Sequence, residues 1–356
     1  MARRSGPSLS ESRGVRHAAL LYVTPQPMKL PLLRFSASAS AVAGVVALLL
    51  LGACRFSNDH PTTEQTITVY DAGSLAVPLR AVLDSFAARS AKDGITLHIE
   101  QENAGSLETA RKLTELGRVP DVIALADVDI FPSLLIPRYV DQYTPFARNR
   151  MVLLYTDRSR HAAELSPENW TDIVTRSDVE VGRSDPNLDP AGYRALLSFQ
   201  LAERWYKRPG LAATLLQHAP RRNVRPKSAD LVALLQTGNL DYAWGYESVA
   251  RVAHLRYLSL PSAIDLSAPS ERSRYATAAV RVAGATPSDS VLVHGAPILF
   301  GIAASRGAPH GDIGSRFVKF VMSPEGITIL RAHALDAGQW ATSADTLQGG
   351  ASHTGR

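Results

Sequence analysis

The side chains best placed to do chemistry in this 356-residue chain are two serines in a repeated phrase. The copies are Asp71-Ala72-Gly73-Ser74-Leu75 and Asn103-Ala104-Gly105-Ser106-Leu107. A serine hydroxyl donates a hydrogen bond, and a neighbouring glycine lets the backbone come close to a ligand. Where such a turn opens a helix, the first amides lack partners and lie at the positive end of the dipole, a setting suited to an anion. The plain alternative is that each serine caps its own helix, the commonest role there. Recurrence of Ala-Gly-Ser-Leu is what favours a shared ligand. Asp189-Pro190 has the pattern of an N-cap followed by proline, on a loop after the strand predicted at Val179–Gly182. Capping and ligand binding weigh equally for Asp189. Further on, Tyr242, Trp244 and Tyr246 share one face of an aromatic strand, while Gly245 and Glu247 share the other. Aromatics on strands are most often core.

These residues need elements to hold them. Ile67 and Val69 alternate with polar neighbours before the first phrase, and Leu79, Val82, Leu83 and Phe86 mark one helical face after it. Ile95–Ile99 and Leu107, Ala110, Leu113 and Leu116 repeat that order around the second phrase, with Gly117 as a stop. The two serines are 32 residues apart, about one strand–helix unit. In a parallel α/β sheet such turns lie at one edge, where ligands bind. Asp121–Asp127 and Met151–Tyr155 read as buried strands. A helix is expected after Asp189, another from Leu231 to Gln236 capped around Ser228, a strand from Tyr275 to Val282, and two helices near Ile313–Met322 and Pro324–Ala334.

The leader sets the bulk charge. Met28-Lys29 and Arg34 precede an apolar run from Ala37 to Leu51, followed by Gly52-Ala53-Cys54, the layout of a secretory signal. The run is shorter than the ~20 residues of a spanning helix. Leu51-Gly52-Ala53-Cys54 resembles a bacterial lipobox, and Cys54 is the single cysteine of the chain, so lipidation is expected there and no disulfide framework exists. Residues 1–27 read as an extended start. Six of the 38 basic and one of the 33 acidic residues precede Cys54, leaving 32 of each beyond it. The net charge of +5 therefore belongs to the leader, and a nucleic-acid partner is not expected.

The region from about Thr66 to Gly338 resembles the tungstate/molybdate substrate-binding proteins of ABC importers. The resemblance is carried jointly by Ala72-Gly73-Ser74-Leu75, Ala104-Gly105-Ser106, Arg111–Gly117, Asp121-Val122, Phe146–Asn149, Asp185-Pro186-Asn187, Asp189–Arg194 and Leu240–Ala243. It implies an α/β, two-lobe type II periplasmic-binding-protein fold with two hinge crossings and an oxyanion between the lobes. On that basis 1–53 is an extended start plus lipoprotein signal peptide and 54–65 a tether. Residues 66–147 and 297–341 form lobe 1, 148–296 form lobe 2, and 342–356 are a disordered tail. The same resemblance implies that Ser74 and Ser106 donate to the oxyanion, that Asp189 lies at the site, and that Tyr246 adds its hydroxyl. Tungstate binders commonly carry glutamate where this chain has Gly245, and Glu247 is the candidate substitute.

A carboxylate beside a dianion costs energy unless it takes a proton or ligates the metal of the anion. The expected protein is a monomeric lipoprotein of the cell envelope, lipid-anchored at Cys54, that needs no cofactor and hands molybdate or tungstate to an ABC importer permease and its ATPase. The rivals are the same fold carrying sulfate, phosphate or ferric ion, and a serine hydrolase, for which no Gly-x-Ser-x-Gly or readable His/Asp partner is present.

Overall fold

A computed structural model describes residues 63–284 and 289–338. The expected signal peptide, the lipidation site Cys54, the tether before residue 63 and the tail from 342 lie outside the described residues; the last three residues of the expected 54–65 tether, Thr63, Glu64 and Gln65, belong instead to the first strand.

Strand β1 (Thr63–Ala72) leads through a single 3-10 turn, Gly73–Leu75, into helix α1 (Ala76–Lys92). The apolar stripe read from the sequence is the buried one: Leu79, Val82, Leu83 and Phe86 all face the core. Strand β2 (Ile95–Ala104) then runs into α2 (Ser106–Thr114). β1 and β2 pair in parallel with register Asp71↔Asn103 and Ala72↔Ala104. The two copies of the phrase therefore leave neighbouring strands at the same level of one sheet edge.

Next come β3 (Val122–Leu125) and β4 (Thr144–Arg148). With β12 (Leu299–Ala304) and β13 (Asp336–Ala337) they complete a six-stranded sheet in the order β13-β4-β12-β3-β1-β2. Only Asn149 and Arg150 separate β4 from β5 (Met151–Tyr155), which belongs to a second sheet. That sheet has the order β7-β6-β8-β5-β9, from β6 (Val181–Ser184), β7 (Val224–Arg225), β8 (Tyr242–Tyr246) and β9 (Arg256–Ser259). Strands β10 (Ala279–Ala283) and β11 (Ser290–His294) form a separate antiparallel ribbon before the chain returns to β12.

Helices α3 (Trp170–Ile173), α4 (Pro190–Trp205), α5 (Leu211–His218), α6 (Asp230–Gln236), α7 (Glu247–Val252) and α8 (Arg272–Tyr275) accompany the second sheet. Helices α9 (Gly311–Val321) and α10 (Pro324–Ala332) return to the first, where Phe317 and Phe320 pack at a tilt against Phe86. β5 and β8 are buried on both faces. Trp244 meets Trp170 and Phe199 on one, and Val152, Leu154 and Ala243 pack with Leu231 and Leu235 on the other.

Three local expectations are corrected. Tyr275 ends a helix and is not in a strand, because its hydroxyl is drawn inward to the Ser262 carbonyl and the Ala268 amide. Ser228 does not cap α6: Ala229 holds the cap position, no side-chain bond closes the helix start, and the Ser228 amide donates to Asp189. The aromatic strand stops at Tyr246, and Glu247 is already the first residue of a helix.

Candidate functional site

The C-terminal ends of β1 and β2 bring Ser74 and Ser106 to adjacent turns. Neither is a cap: no side-chain bond closes the start of the 3-10 turn or of α2. The Ser106 hydroxyl is fully buried and accepts from the Ala126 amide at 2.9 Å, just beyond β3. Its own proton is therefore free to point elsewhere. Ser74 is 9% exposed, and its hydroxyl has no hydrogen-bond partner. A buried polar group left in that state is costly, and native proteins seldom keep one without reason.

Asp189 caps α4 as its sequence pattern implied, accepting from the Ala191 amide at 3.3 Å, and its second oxygen accepts from the Ser228 amide at 2.6 Å. Burial pushes this carboxyl up, while those amides and the Ser184 and Ser228 hydroxyls pull it down. The residue before it crosses to the first sheet. The Leu188 carbonyl accepts from the amides of Leu107 at 3.0 Å and Glu108 at 3.3 Å. The start of α2 is thus partly occupied by a carbonyl from the other sheet, so the Leu107 and Glu108 amides do not lack partners as a bare helix start would. Gly105 permits this approach, since a Cβ there would lie 2.2 Å from the Leu188 oxygen.

Tyr246 is fully buried, edge-on to Phe300, and its hydroxyl accepts from Arg194 Nη1 at 2.7 Å. The same nitrogen donates to the Ala126 carbonyl at 2.6 Å, and Nη2 pairs with Asp127 at 3.0 Å. Tyr193 also donates to Asp127. Ala126 is therefore the shared post, with its amide on Ser106 and its carbonyl on Arg194. Ser106, Tyr246 and the start of α4 are tied into one buried network between the sheets. The Arg194 guanidinium sits fully desolvated against one carboxylate and two phenols, so the pair with Asp127 supplies the neutralisation that burial demands.

Lys227 makes a further crossing. Its ammonium donates to Asn103 Oδ1 at 2.6 Å, and its Cδ would lie 2.8 Å from a Cβ at Gly73.

Glu247 is not part of this network. Its carboxylate is held by Arg150 at 3.0 Å and Arg251 at 3.6 Å, and accepts from the Tyr257 hydroxyl at 3.3 Å. A side chain at Gly245 would meet the Leu154 methyl at 2.5 Å, so that position looks into the small apolar core.

Sequence reasoning quoted Tyr193 and Arg194 within a motif and Asp127 at a strand end without assigning them roles, and missed Lys227. The one available signal was an arginine in the otherwise apolar first turns of α4. Among the described residues no group of three or more His, Cys, Asp or Glu is arranged to hold a metal ion.

The family model described as bacterial extracellular solute-binding protein matches residues 67–335. An uncharacterized solute-binding protein of Petrotoga mobilis is 40% identical over 264 residues, covering 74% of this chain and 81% of the relative. The molybdate/tungstate-binding protein WtpA of Pyrococcus abyssi is 32% identical over 320 residues, covering 83% and 92%. Among solved structures, the sulfate-binding protein SubI of Mycobacterium tuberculosis superposes with a TM-score of 0.55 at 14% identity, covering 80% of this chain and 91% of that one. At that identity the likeness concerns the fold.

Proposed function

Because this chain belongs to the bacterial extracellular solute-binding protein family, we propose that it captures molybdate or tungstate between its two sheets and delivers it to an ABC importer. The fold is the two-lobe α/β arrangement of type II periplasmic-binding proteins, and family membership makes the chain extracytoplasmic with a transporter as its partner. The choice of anion follows the Pyrococcus abyssi relative, a molybdate/tungstate-binding protein, and the chemistry of the site.

The observation that carries the reading is the buried Ser74 hydroxyl without a partner, one strand from Ser106. An oxyanion oxygen gives it the acceptor it lacks. Tyr246 accepts from Arg194 and so keeps its own proton for donation, and burial raises the Asp189 carboxyl against the pull of the amides it accepts from. No cofactor is needed for this task. Closure would be a hinge motion about the crossings at 149–150 and 295–298. Glu247 has no part in it. A hydrolase is disfavoured because, among the described residues, no base is hydrogen-bonded to the hydroxyl of Ser74 or Ser106. The protein works as a monomer anchored through a lipid on Cys54. Cys54→Ser would then release it from the membrane fraction, and unchanged fractionation would remove the anchor from the account.

Thermal unfolding with molybdate, tungstate, sulfate, phosphate and ferric ion side by side tests the cargo. A ligand at 100 times its Kd adds about 2.7 kcal/mol, or about 5–10 °C in Tm for a domain of this size. The expected shift appears with molybdate or tungstate. A shift with another ion alone reassigns the cargo, and no shift with either group-six anion refutes the proposal.

A further inference from the structure

The end of β1 carries a second oxygen without a partner. Asp71 is fully buried; its Oδ2 accepts from the Gln101 side-chain amide at 2.5 Å, while Oδ1 has no hydrogen-bond partner. The same Gln101 nitrogen donates to the Ala76 carbonyl at 2.9 Å, which pins the carboxyl against the start of α1. Ser74, with the other partnerless oxygen, follows three residues later on the same turn. An ionised carboxylate with a bare buried oxygen is expensive, and more so with a dianion on the adjoining turn. A carboxylic acid is a different object, because it owns one O–H donor. Since Oδ2 already accepts from Gln101, the proton belongs on Oδ1. Asp71 and Ser74 then present two O–H groups that both need an acceptor.

We propose that Asp71 is an anion-binding residue that acts as a neutral carboxylic acid, donating from Oδ1 to an oxyanion oxygen beside Ser74, so that capture depends on its proton. The inference rests on the oxyanion reading above.

The surroundings favour the neutral form. Burial drives the carboxyl up to about 8, against the pull of the Gln101 bond and the Lys227 ammonium. Lys227 is the cation facing it, from the segment before α6. It is itself engaged by Asn103, the register neighbour of Asp71, with Asp230 3.9 Å away. On β2, Glu102 is turned to Lys112 and Arg118. The β3 segment, Val122–Leu125, brings no titratable group; on α2 the Thr109 hydroxyl lies 3.4 Å from the Asp71 carbonyl, Lys112 is held by Glu102, and Arg111 is turned to the Asn187, Ala283 and Gly284 carbonyls.

Isothermal titration with molybdate from pH 6 to 9.5 tests this on the wild-type protein. The affinity should be level at the acid end and fall about tenfold per pH unit above about pH 8. Proton uptake, measured in two buffers of different ionisation enthalpy, should rise there toward one per anion. Asp71→Asn keeps an N–H donor and cannot ionise, so it should bind with a level pH profile and no uptake from this site. A wild-type affinity that stays level with no uptake overturns the proposal whether or not the variant folds, and so does an Asp71→Asn protein that keeps the alkaline decline. If the wild type binds neither molybdate nor tungstate at any pH, the oxyanion reading falls with it; pH-independent binding removes the role of Asp71 alone.

Discussion

Replacing Ser74 and Ser106 by alanine, one at a time, should separate a hydroxyl that serves the ligand from one that also serves the fold. Ser74 has no protein partner, so Ser74→Ala takes nothing from the unliganded protein and relieves a buried orphan. Its stability should stay level or rise by up to about 1 kcal/mol. Ser106→Ala removes the acceptor of the Ala126 amide, in the network that also holds Arg194. An amide orphaned in that way costs about 1–3 kcal/mol. At roughly 2–4 °C per kcal/mol for a domain of this size, Tm should fall by about 2–12 °C. Toward the anion the two should behave alike, each losing a hydrogen bond to a charged group worth about 1.5–3 kcal/mol. That is a 10- to 150-fold weaker Kd. Calorimetric unfolding of the free proteins and titration with molybdate read the two quantities separately. If Ser74→Ala melts early and binds normally, Ser74 is a structural residue and the site has been misread.

Two further outcomes follow from the same geometry. Gly105→Ala keeps an allowed backbone, since φ is −63°, but drives a methyl into the Leu188 carbonyl and so breaks its two bonds to the start of α2. The loss of about 1–3 kcal/mol from the closed arrangement should weaken anion binding roughly 5- to 150-fold and leave a larger radius of gyration by X-ray scattering with ligand present; undiminished affinity would show that the contact is dispensable. Asp71 should also make stability depend on pH. Between its ordinary 3.8 and about 8 the unfolded chain has released a proton that the folded one keeps, so this group's contribution is full below about pH 4 and declines by about 1.4 kcal/mol per unit until about pH 8. The stability gap between Asp71→Asn and wild type should widen over that range in denaturant melts, and a constant gap would contradict a buried neutral carboxyl.

Much of this arrangement was already legible along the chain. The alternation at Ile67 and Val69 and the spacing of Leu79, Val82, Leu83 and Phe86 determine a strand and a one-sided helix, because each pattern suits only one backbone period. The repeated phrase at a 32-residue interval implies two parallel strands whose ends coincide, and the register Ala72↔Ala104 is that coincidence. Asp189-Pro190 marks a helix start from its own chemistry. Glu247 misled for a matching reason: period-two counting runs on past Tyr246, although the chain has already turned into a helix there.

What tertiary structure alone decided is who meets whom between the sheets. Arg194 reaches Ala126 across 68 residues and Lys227 reaches Asn103 across 124. No local period or propensity encodes such a pair, because its geometry exists only after both sheets have formed. Whether a serine serves its own helix or a guest is settled the same way. Ser74 and Ser106 stand in identical phrases, yet only one finds an amide, since β3 ends beside Ser106 and leaves Ser74 without a donor. Local free energy makes the turns, and the burial shared between distant segments assigns their hydroxyls.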